Sequence, residues 1–364
     1  MTAGGRAADM PPALDPRGPS AAVTLADVAA MAGVSLSTAS RVLNGSTRRV
    51  SDARRQRVLD AATELDYSAN AAAQAVARGT TNTIGLVVSD IADPFFSTIA
   101  AGLMRAAEAH RLVVTMACTF HHPERELDYV AALRGQRARA AVLVGSRVDD
   151  RELHDRLGAE IASFERAGGR VVMVSQPKLP VDTVVIENRS GARDLARELC
   201  GLGHRRFAIL AGPPELLTAR DRVTGFRQGL TRSGVTIPSV NIVHGPFTRD
   251  GGYMAMQDVL RRGLDVGCVF AVNDVMAVGA MAALRDYGPG EASPRPHDGI
   301  AVAGFDDIEW LRDVVPSLTT VRLPLSEVGA AALDLVLQPP ADRPRVRRVQ
   351  GQVVLRPSTS LAAG

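Results

Sequence analysis

The chain has 364 residues, 46% of them hydrophobic, and a formal net charge of +3 at pH 7. This length exceeds the size at which a single hydrophobic core stops growing, so two or more domains are expected. The three cysteines, Cys118, Cys200 and Cys268, lie far apart without a CxxC pair. That distribution argues against a disulfide framework or a zinc site and favours the cytosol. No stretch approaches the ~18 consecutive apolar residues of a membrane span, so no membrane partner is expected.

Residues 1–22 are rich in Gly, Ala and Pro and lack periodicity. This composition is typical of a disordered leader. No apolar run of the length needed in a signal peptide follows the charges, so export is not expected.

Residues 24–49 have the pattern of two short helices. Thr24 can cap a first helix that Gly33 ends, and Ser35 can cap a second helix that ends at Asn44. Two helices joined by a glycine-containing turn are typical of a helix-turn-helix, whose second helix can enter a DNA major groove. By periodicity alone, an ordinary helical hairpin explains the pattern equally well.

The order of short motifs in this segment distinguishes the two interpretations. It resembles the DNA-binding headpiece of the lactose-repressor/galactose-repressor (LacI/GalR) family, which has a threonine start followed by DVA, AGVS, T-x-SRVLN and VS. The corresponding residues here are Thr24, 27–29, 32–35, 38–44 and 50–51. Ser51 would then cap a third helix that runs through Leu65.

The resemblance implies that the second helix contacts DNA. We expect Arg41 to be the main base reader, because arginine can bond guanine O6 and N7 together. Thr38 could equally contact phosphates, which carry no sequence information. The predicted DNA-binding residues are Leu36, Ser37, Thr38, Arg41, Asn44 and Val76.

Val76 belongs to residues 70–80, where Asn70 can cap an alanine-rich helix that Gly79 ends. About two turns of helix are too short to be stable alone in water. The segment could be a plain spacer or a hinge that folds only when docked. The resemblance implies the hinge, in which family members insert a leucine into the minor groove. Val76 occupies that position here.

From residue 83 onward, strands and helices alternate, which predicts parallel sheets covered on both faces. Two successive blocks of this kind predict two lobes. Strands are expected at 84–89, 113–117, 140–145, 170–175, 183–188, 207–210, 241–245, 267–273, 299–305 and 352–355. Helices are expected at about 96–110, 124–134, 150–167, 190–202, 220–233, 251–262 and 274–286. The family resemblance implies a two-lobed α/β effector domain similar to the type I periplasmic binding proteins, behind an all-α helix-turn-helix headpiece.

Ligands of open α/β sheets bind beyond the carboxyl ends of the strands. Aromatic rings together with Arg, Asn and Asp at such ends would suit a small polar molecule such as a sugar. Each residue also has a simpler explanation as a cap, a surface ion pair or core. The predicted effector-binding residues are Phe95, Phe96, Gln176, Thr218, Arg222, Phe247, Asn273 and Asp306.

The resemblance implies that Arg222 and Asp306 clamp the effector and that Phe247 stacks on it. Two departures from the family limit what can be carried over. Leu216 replaces an arginine of the purine-responsive member, and Gln176 replaces an aspartate of the lactose-responsive member. The effector of neither member is therefore predicted for this chain.

The expected domains are a leader at 1–22, the headpiece at 23–69, the hinge helix at 70–80, and an effector-binding and dimerisation domain at 81–364. The first lobe is expected at about 82–187 and 319–345, and the second at about 188–318 and 346–358. No terminal leucine heptad follows, so a homodimer on a pseudo-palindromic operator in double-stranded DNA is expected.

Two other functions are weighed against a regulator. An enzyme is disfavoured because the chain has no P-loop, GxGxxG, GxSxG or HExxH motif; no catalytic residue, cofactor or metal is predicted, and His121-His122 is interpreted as a loop pair. A sugar-binding protein without DNA regulation would have similar lobes, but it would need an export signal. The sequence thus predicts a cytoplasmic, nucleoid-associated regulator, a repressor of sugar or other carbon-source genes, with no prediction of whether effector releases or tightens DNA.

Overall fold

The computed structural model describes residues 23–43, 50–68, 80–287 and 299–360. The chain divides into two units, residues 1–78 and 79–364, and each contains its own hydrophobic core. The predicted leader, Asn44, and the predicted hinge helix with Val76 lie outside the described residues, apart from Thr80 at the end of the hinge.

The first unit contains three helices, α1 (Leu25–Met31), α2 (Leu36–Leu43) and α3 (Asp52–Glu64). The Thr24 hydroxyl accepts a hydrogen bond from the Asp27 amide, and the Asp27 carboxylate accepts one from the Thr24 amide at 2.8 Å, so the predicted cap is a complete capping box. Gly33 has a φ of +60° in the turn, where glycine is tolerated without strain. Ser35 Oγ accepts from the Thr38 amide at 3.3 Å, as predicted.

The third helix begins directly after Ser51, as predicted. Ser51 stands at the N-cap position of α3, but its hydroxyl makes no capping hydrogen bond within the described part of the unit. The three helices still pack together, because Val28, Ala39 and Val58 bury one face of each helix in a shared core.

The second unit contains two parallel sheets that define two lobes. The sheet of the first lobe consists of β1 (Thr83–Val88), β2 (Val113–Cys118), β3 (Ala140–Val144), β4 (Arg170–Val174), β5 (Asp182–Ile186) and β11 (Val346–Val349), in the order β11-β5-β4-β3-β1-β2. Its helices are α4 (Pro94–Glu108), α5 (Arg125–Gly135), α6 (Arg151–Arg166) and α11 (Leu325–Leu337).

The sheet of the second lobe consists of β6 (Phe207–Ala211), β7 (Ile242–His244), β8 (Cys268–Ala271) and β9 (Ala301–Ala303), in the order β7-β6-β8-β9. Its helices are α7 (Asn188–Gly201), α8 (Leu217–Arg232), α9 (Arg249–Arg261) and α10 (Asp274–Asp286). Strands such as β3 and β6 are buried along their whole length, as expected for sheets with helices on both faces.

The predicted lobe boundaries near the end of the chain are wrong. A short strand, β10 (Thr320–Arg322), pairs with β12 (Gln352–Val354), and bridges at Thr319 and Arg322 join it to the edge of the second lobe. Residues 319–322 therefore lie with the second lobe, not the first. Conversely, β11 pairs in parallel with β5 and completes the sheet of the first lobe. In segments of three or four residues, backbone pairing to distant strands decides the lobe, and local periodicity does not reveal it.

None of the described helices is both long enough and apolar enough to cross a membrane.

Candidate functional site

A cavity of about 420 Å³ lies between the two lobes, next to the carboxyl ends of their parallel strands. Residues that follow β1, β3 and β4 line it from the first lobe, and residues that follow β6, β7, β8 and β9 line it from the second. All eight predicted effector-binding residues line this one cavity: Phe95, Phe96, Gln176, Thr218, Arg222, Phe247, Asn273 and Asp306.

Arg222 is the most deeply embedded charged residue of the cavity wall, with 2% of its surface exposed. Its Nη2 donates to Asp306 Oδ1 and its Nε donates to Asn188 Oδ1, both at 2.8 Å. A third bond runs from Nη1 to the Val272 carbonyl, and the guanidinium lies 4.0 Å above the centre of the Phe305 ring. These contacts hold the guanidinium plane rigidly, which favours bidentate recognition of polar groups.

Asp306 is buried opposite Arg222 in a strained backbone conformation. Its φ is 129°, and that of Asp307 is 57°, values at which residues other than glycine are uncommon. Burial raises the pKa of the Asp306 carboxyl, and the adjacent Arg222 guanidinium opposes that rise. Such strain is typical of functional sites.

Gln176 and Thr218 connect the two lobes directly. Gln176 follows β4 in the first lobe, and its Nε2 donates to Thr218 Oγ1 of α8 at 2.8 Å. Its Oε1 accepts from the Arg147 amide at 2.8 Å, which fixes the orientation of the side-chain amide. The Thr218 amide in turn donates to Ser146 Oγ at 3.0 Å. These bonds join the two lobes across the cleft.

The three predicted aromatic residues line the cavity from opposite lobes. Phe95 and Phe96 begin α4 and pack edge to face, with ring centres 5.0 Å apart. Phe247 precedes α9 in the second lobe, and its ring fits against Gly212, where a Cβ would lie 2.4 Å from Phe247 Cδ2. All three rings are half-buried, so a ligand can contact their faces.

Several cavity residues were not predicted. Asp93 caps α4 by accepting from the Phe95 amide at 2.9 Å, and Asn188 orients Arg222. The proline at the first position of α4 could have identified Asp93 as the cap of that helix, just beyond the carboxyl end of β1. Glu126 also lines the cavity and forms a buried bidentate ion pair with Arg147, both bonds 2.6 Å long. This pair joins residues from α5 and the end of β3, and no local sequence motif predicts it.

The described DNA-binding candidates all belong to α2. Leu36 is 54% exposed at the start of the helix, and Ser37 is exposed beside it. Thr38 is half-buried, and its hydroxyl lies 2.9 Å from Ser35 Oγ. Arg41 is half-buried in the last turn.

The described residues contain no cluster of three or more His, Cys, Asp or Glu side chains that could hold a metal ion. His121 has a φ of 63° in a turn, and His122 pairs with Glu124 at 3.3 Å.

Both parts of the chain match protein-family models. Residues 24–70 match bacterial regulatory proteins of the lacI family, and residues 81–358 match the periplasmic binding proteins and sugar binding domain of the LacI family. The transcriptional regulator GalS of Salmonella typhimurium is 36% identical over 318 residues, which cover 87% of this chain and 89% of GalS.

Solved structures agree with these matches. The lac repressor dimer bound to operator and the anti-inducer ONPF has a TM-score of 0.79 at 28% identity, covering 94% of this chain and all of that one. A complex of the transcriptional regulator CelR with cellobiose has a TM-score of 0.66 at 30% identity, covering 92% of this chain and 99% of that one. The chain belongs to the LacI family of bacterial regulatory proteins and is a DNA-binding transcriptional regulator.

Proposed function

We propose that this regulator is a repressor that binds a pseudo-palindromic operator as a homodimer and is controlled by a sugar or related small molecule in the cleft. The observation that carries the proposal is the convergence of eight predicted effector residues, drawn from both lobes, on one cavity. The CelR structure is a complex with cellobiose, and the lac repressor structure is a dimer bound to operator. Both support a sugar effector and a dimer for this chain.

The chemistry of the cavity suits a polyhydroxylated ligand. Arg222 and Asp306 together offer donors and acceptors that can chelate vicinal hydroxyls, while Phe95 and Phe247 can cover the apolar faces of a ring from the two lobes. Because Gln176 and Thr218 bond across the cleft, a ligand that spans the cavity would change the free energy of closure. We propose that residues 70–80 pass this change to the headpieces.

The headpiece supplies the operator contacts in this proposal. Arg41 reads a guanine, Leu36 and Ser37 tune each half-site, and Thr38 binds the backbone; Asn44 and Val76 are further candidates. A coupling of about 1–3 kcal/mol between cleft and headpiece would change operator affinity by about 5- to 150-fold. We assign no catalytic activity, and we propose the nucleoid in the cytoplasm as the site of action.

The test is a selection of genomic fragments that bind the purified protein at a fixed salt concentration. We expect a pseudo-palindromic motif with half-sites about one helical turn apart, or a multiple of that distance, next to genes for uptake or breakdown of a carbon source. Substrates of those genes are then added to the protein on its operator, and the change in affinity is measured. Fragments without a shared motif would contradict the proposed pseudo-palindromic operator.

A further inference from the structure

Carboxyl side chains outnumber cationic side chains among the described residues of the cavity wall. Four carboxyl side chains line it, from Asp93, Glu126, Glu215 and Asp306, whereas the described lining residues include one guanidinium, that of Arg222, and one imidazole, that of His121. Burial is the main cause that raises the pKa of the Asp93 carboxyl. Asp93, from the first lobe, also raises the pKa of Asp306 in the second, so the two carboxyls repel each other across the cleft.

The two arginines at the cavity are already paired with carboxyl groups. Arg222 forms its ion pair with Asp306 at 2.8 Å and donates two further hydrogen bonds, to Asn188 and to the Val272 carbonyl. Arg147, behind the wall, is bound bidentately by Glu126. Anions in proteins are usually held by arginine or lysine charge that is free to pair with them. The described wall does not supply such a charge.

Helix N-termini, the other common anion sites, are also occupied here. Three helices that begin at the cavity are capped by their own side chains, Asp93 for α4, Thr248 for α9 and Asn273 for α10. At the start of α8, the Leu217 and Thr218 amides donate to the Arg147 carbonyl and Ser146 Oγ of the other lobe. A phosphate placed at any of these ends would have to displace an existing acceptor.

We propose that the cleft selects its effector by charge: it binds an uncharged polyhydroxylated molecule and rejects the phosphate ester or carboxylate of the same molecule. The inference rests on the proposed function and narrows it to unphosphorylated ligands. Asp93 is the residue that sets this specificity, because its carboxyl lines the cavity and, unlike those of Glu126 and Asp306, forms no ion pair with the described residues; Arg222 and His121 only lower its pKa in part.

The first experiment compares matched ligands by thermal unfolding and calorimetry. The probes are glucose, galactose, ribose and cellobiose, each beside its available phosphate ester, with glucuronate and galacturonate as the carboxylates. We expect binding to be confined to uncharged members, with each anionic counterpart at least tenfold weaker. An anionic member that binds as tightly as its uncharged counterpart, or more tightly, would overturn the inference.

The second experiment does not depend on guessing the sugar. A small-molecule extract of cells that make the protein is passed over an anion-exchange resin at pH 8, and both fractions are tested for a shift in unfolding temperature and in operator affinity. The active fraction is expected to flow through and to resist phosphatase. Activity retained on the resin would overturn the charge inference alone. Activity in neither fraction would overturn the proposed effector site together with it.

A matched pair of variants tests the role of Asp93. Asp93→Asn keeps a residue that can cap α4 but removes the charge, and it is expected to reduce the preference for the uncharged ligand at least threefold. Asp150→Asn makes the same change at the cap of α6, outside the cavity lining, and is expected to leave the preference unchanged. An unchanged preference in Asp93→Asn, or an equal reduction in both variants, would remove Asp93 from this role.

Discussion

The Arg222 guanidinium forms a buried ion pair with Asp306 at 2.8 Å and lies 4.0 Å above the Phe305 ring. Arg222 is provided by α8, and Asp306 by the loop after β9. Because both side chains are buried, removing one partner would leave the other charged without compensation, at about 3–5 kcal/mol. The pair therefore links the stability of the second lobe to its binding surface.

Changing both partners together separates these two roles. We expect Arg222→Met combined with Asp306→Asn to fold, because replacing a buried pair by uncharged residues is often near neutral. The double variant should lose its response to effector while still binding operator. Operator affinity with and without effector measures this. Arg189→Met with Asp221→Asn, a partly exposed pair on α7 and α8 outside the cavity lining, is the control. A response that survives in the Arg222 double variant would contradict the assignment of the clamp.

We expect Arg41 to contact a base and so to distinguish DNA sequences, and not only to pair with phosphate charge. Arg41→Ala should weaken operator binding by about 1–3 kcal/mol and relax preference at one base pair of each half-site, while unrelated DNA is affected less. Titrations against operator, single-base variants and unrelated DNA at fixed salt would measure this. Arg57→Ala removes an exposed arginine of α3 and serves as the comparison. A uniform loss on all DNA in Arg41→Ala would make that residue a phosphate contact.

The bond between Gln176 and Thr218 should contribute to closure of the cleft. Thr218→Val keeps the shape of the side chain but removes the acceptor for Gln176 Nε2. Loss of one such bond costs about 1 kcal/mol, so effector should bind roughly fivefold more weakly. Calorimetry with the ligand that the binding experiments identify tests the expectation. Thr231→Val, an exposed change on the same helix whose hydroxyl bonds its own helix at Arg227, should not alter the affinity.

Asp274 is expected to make stability depend on pH. It begins α10, and burial raises its pKa from 3.8 to about 6 against the opposing bonds from Thr320 and the Ile308 amide. The folded state therefore binds the proton more tightly than the unfolded state. This contribution is complete below about pH 4 and is lost as pH rises to about 6, a change on the order of 3 kcal/mol.

Asp274→Asn should remove this dependence of stability on pH. The fold should be kept, since the amide can still accept from the Ile308 amide and donate to Thr320. Urea unfolding between pH 4.5 and pH 7 measures the difference between wild type and variant. Asp286→Asn, at the exposed end of the same helix, is the control. Identical slopes in wild type and Asp274→Asn would contradict the expectation.

Much of the site could be predicted because parallel strands bring their carboxyl ends to one edge. Phe95, Gln176, Asn273 and Asp306 each follow a strand recognisable as a short apolar run. Strand-helix alternation then suffices to place these residues together. The ordering of the motifs in the headpiece was equally informative, because each cap and turn has a local chemical signature.

Other features depend on contacts that local sequence does not encode. Helix α11 was not predicted: Pro324 precedes it without a capping side chain, and its Ala- and Leu-rich sequence is largely buried, so it lacks the usual start signal and a polar stripe. The Glu126–Arg147 pair joins separate elements across the first lobe. Strands β10 and β11 are defined by their partners alone.

Glycines between packed helices are another such feature, and they give the last prediction. Helices α4 and α11 approach so closely that a Cβ on Gly102 would lie 2.1 Å from the Ser326 carbonyl oxygen, and one on Gly329 would lie 2.1 Å from that of Ile99. Backbone atoms on a partner helix cannot move aside as a flexible side chain can. Gly102→Ala should therefore force the helices apart and destabilise the first lobe by about 1–3 kcal/mol.

Gly158 provides the matched control within a helix of the same lobe. A Cβ there would have ordinary contact with Leu179 Cδ2 at 3.6 Å, so Gly158→Ala should gain up to about 1 kcal/mol from helix propensity alone. The same substitution is thus expected to lower the free energy of unfolding at Gly102 and to raise it at Gly158, and thermal or urea unfolding measures both changes. If Gly102→Ala proved as stable as Gly158→Ala, the close packing of α4 on α11 would not limit the stability of this lobe.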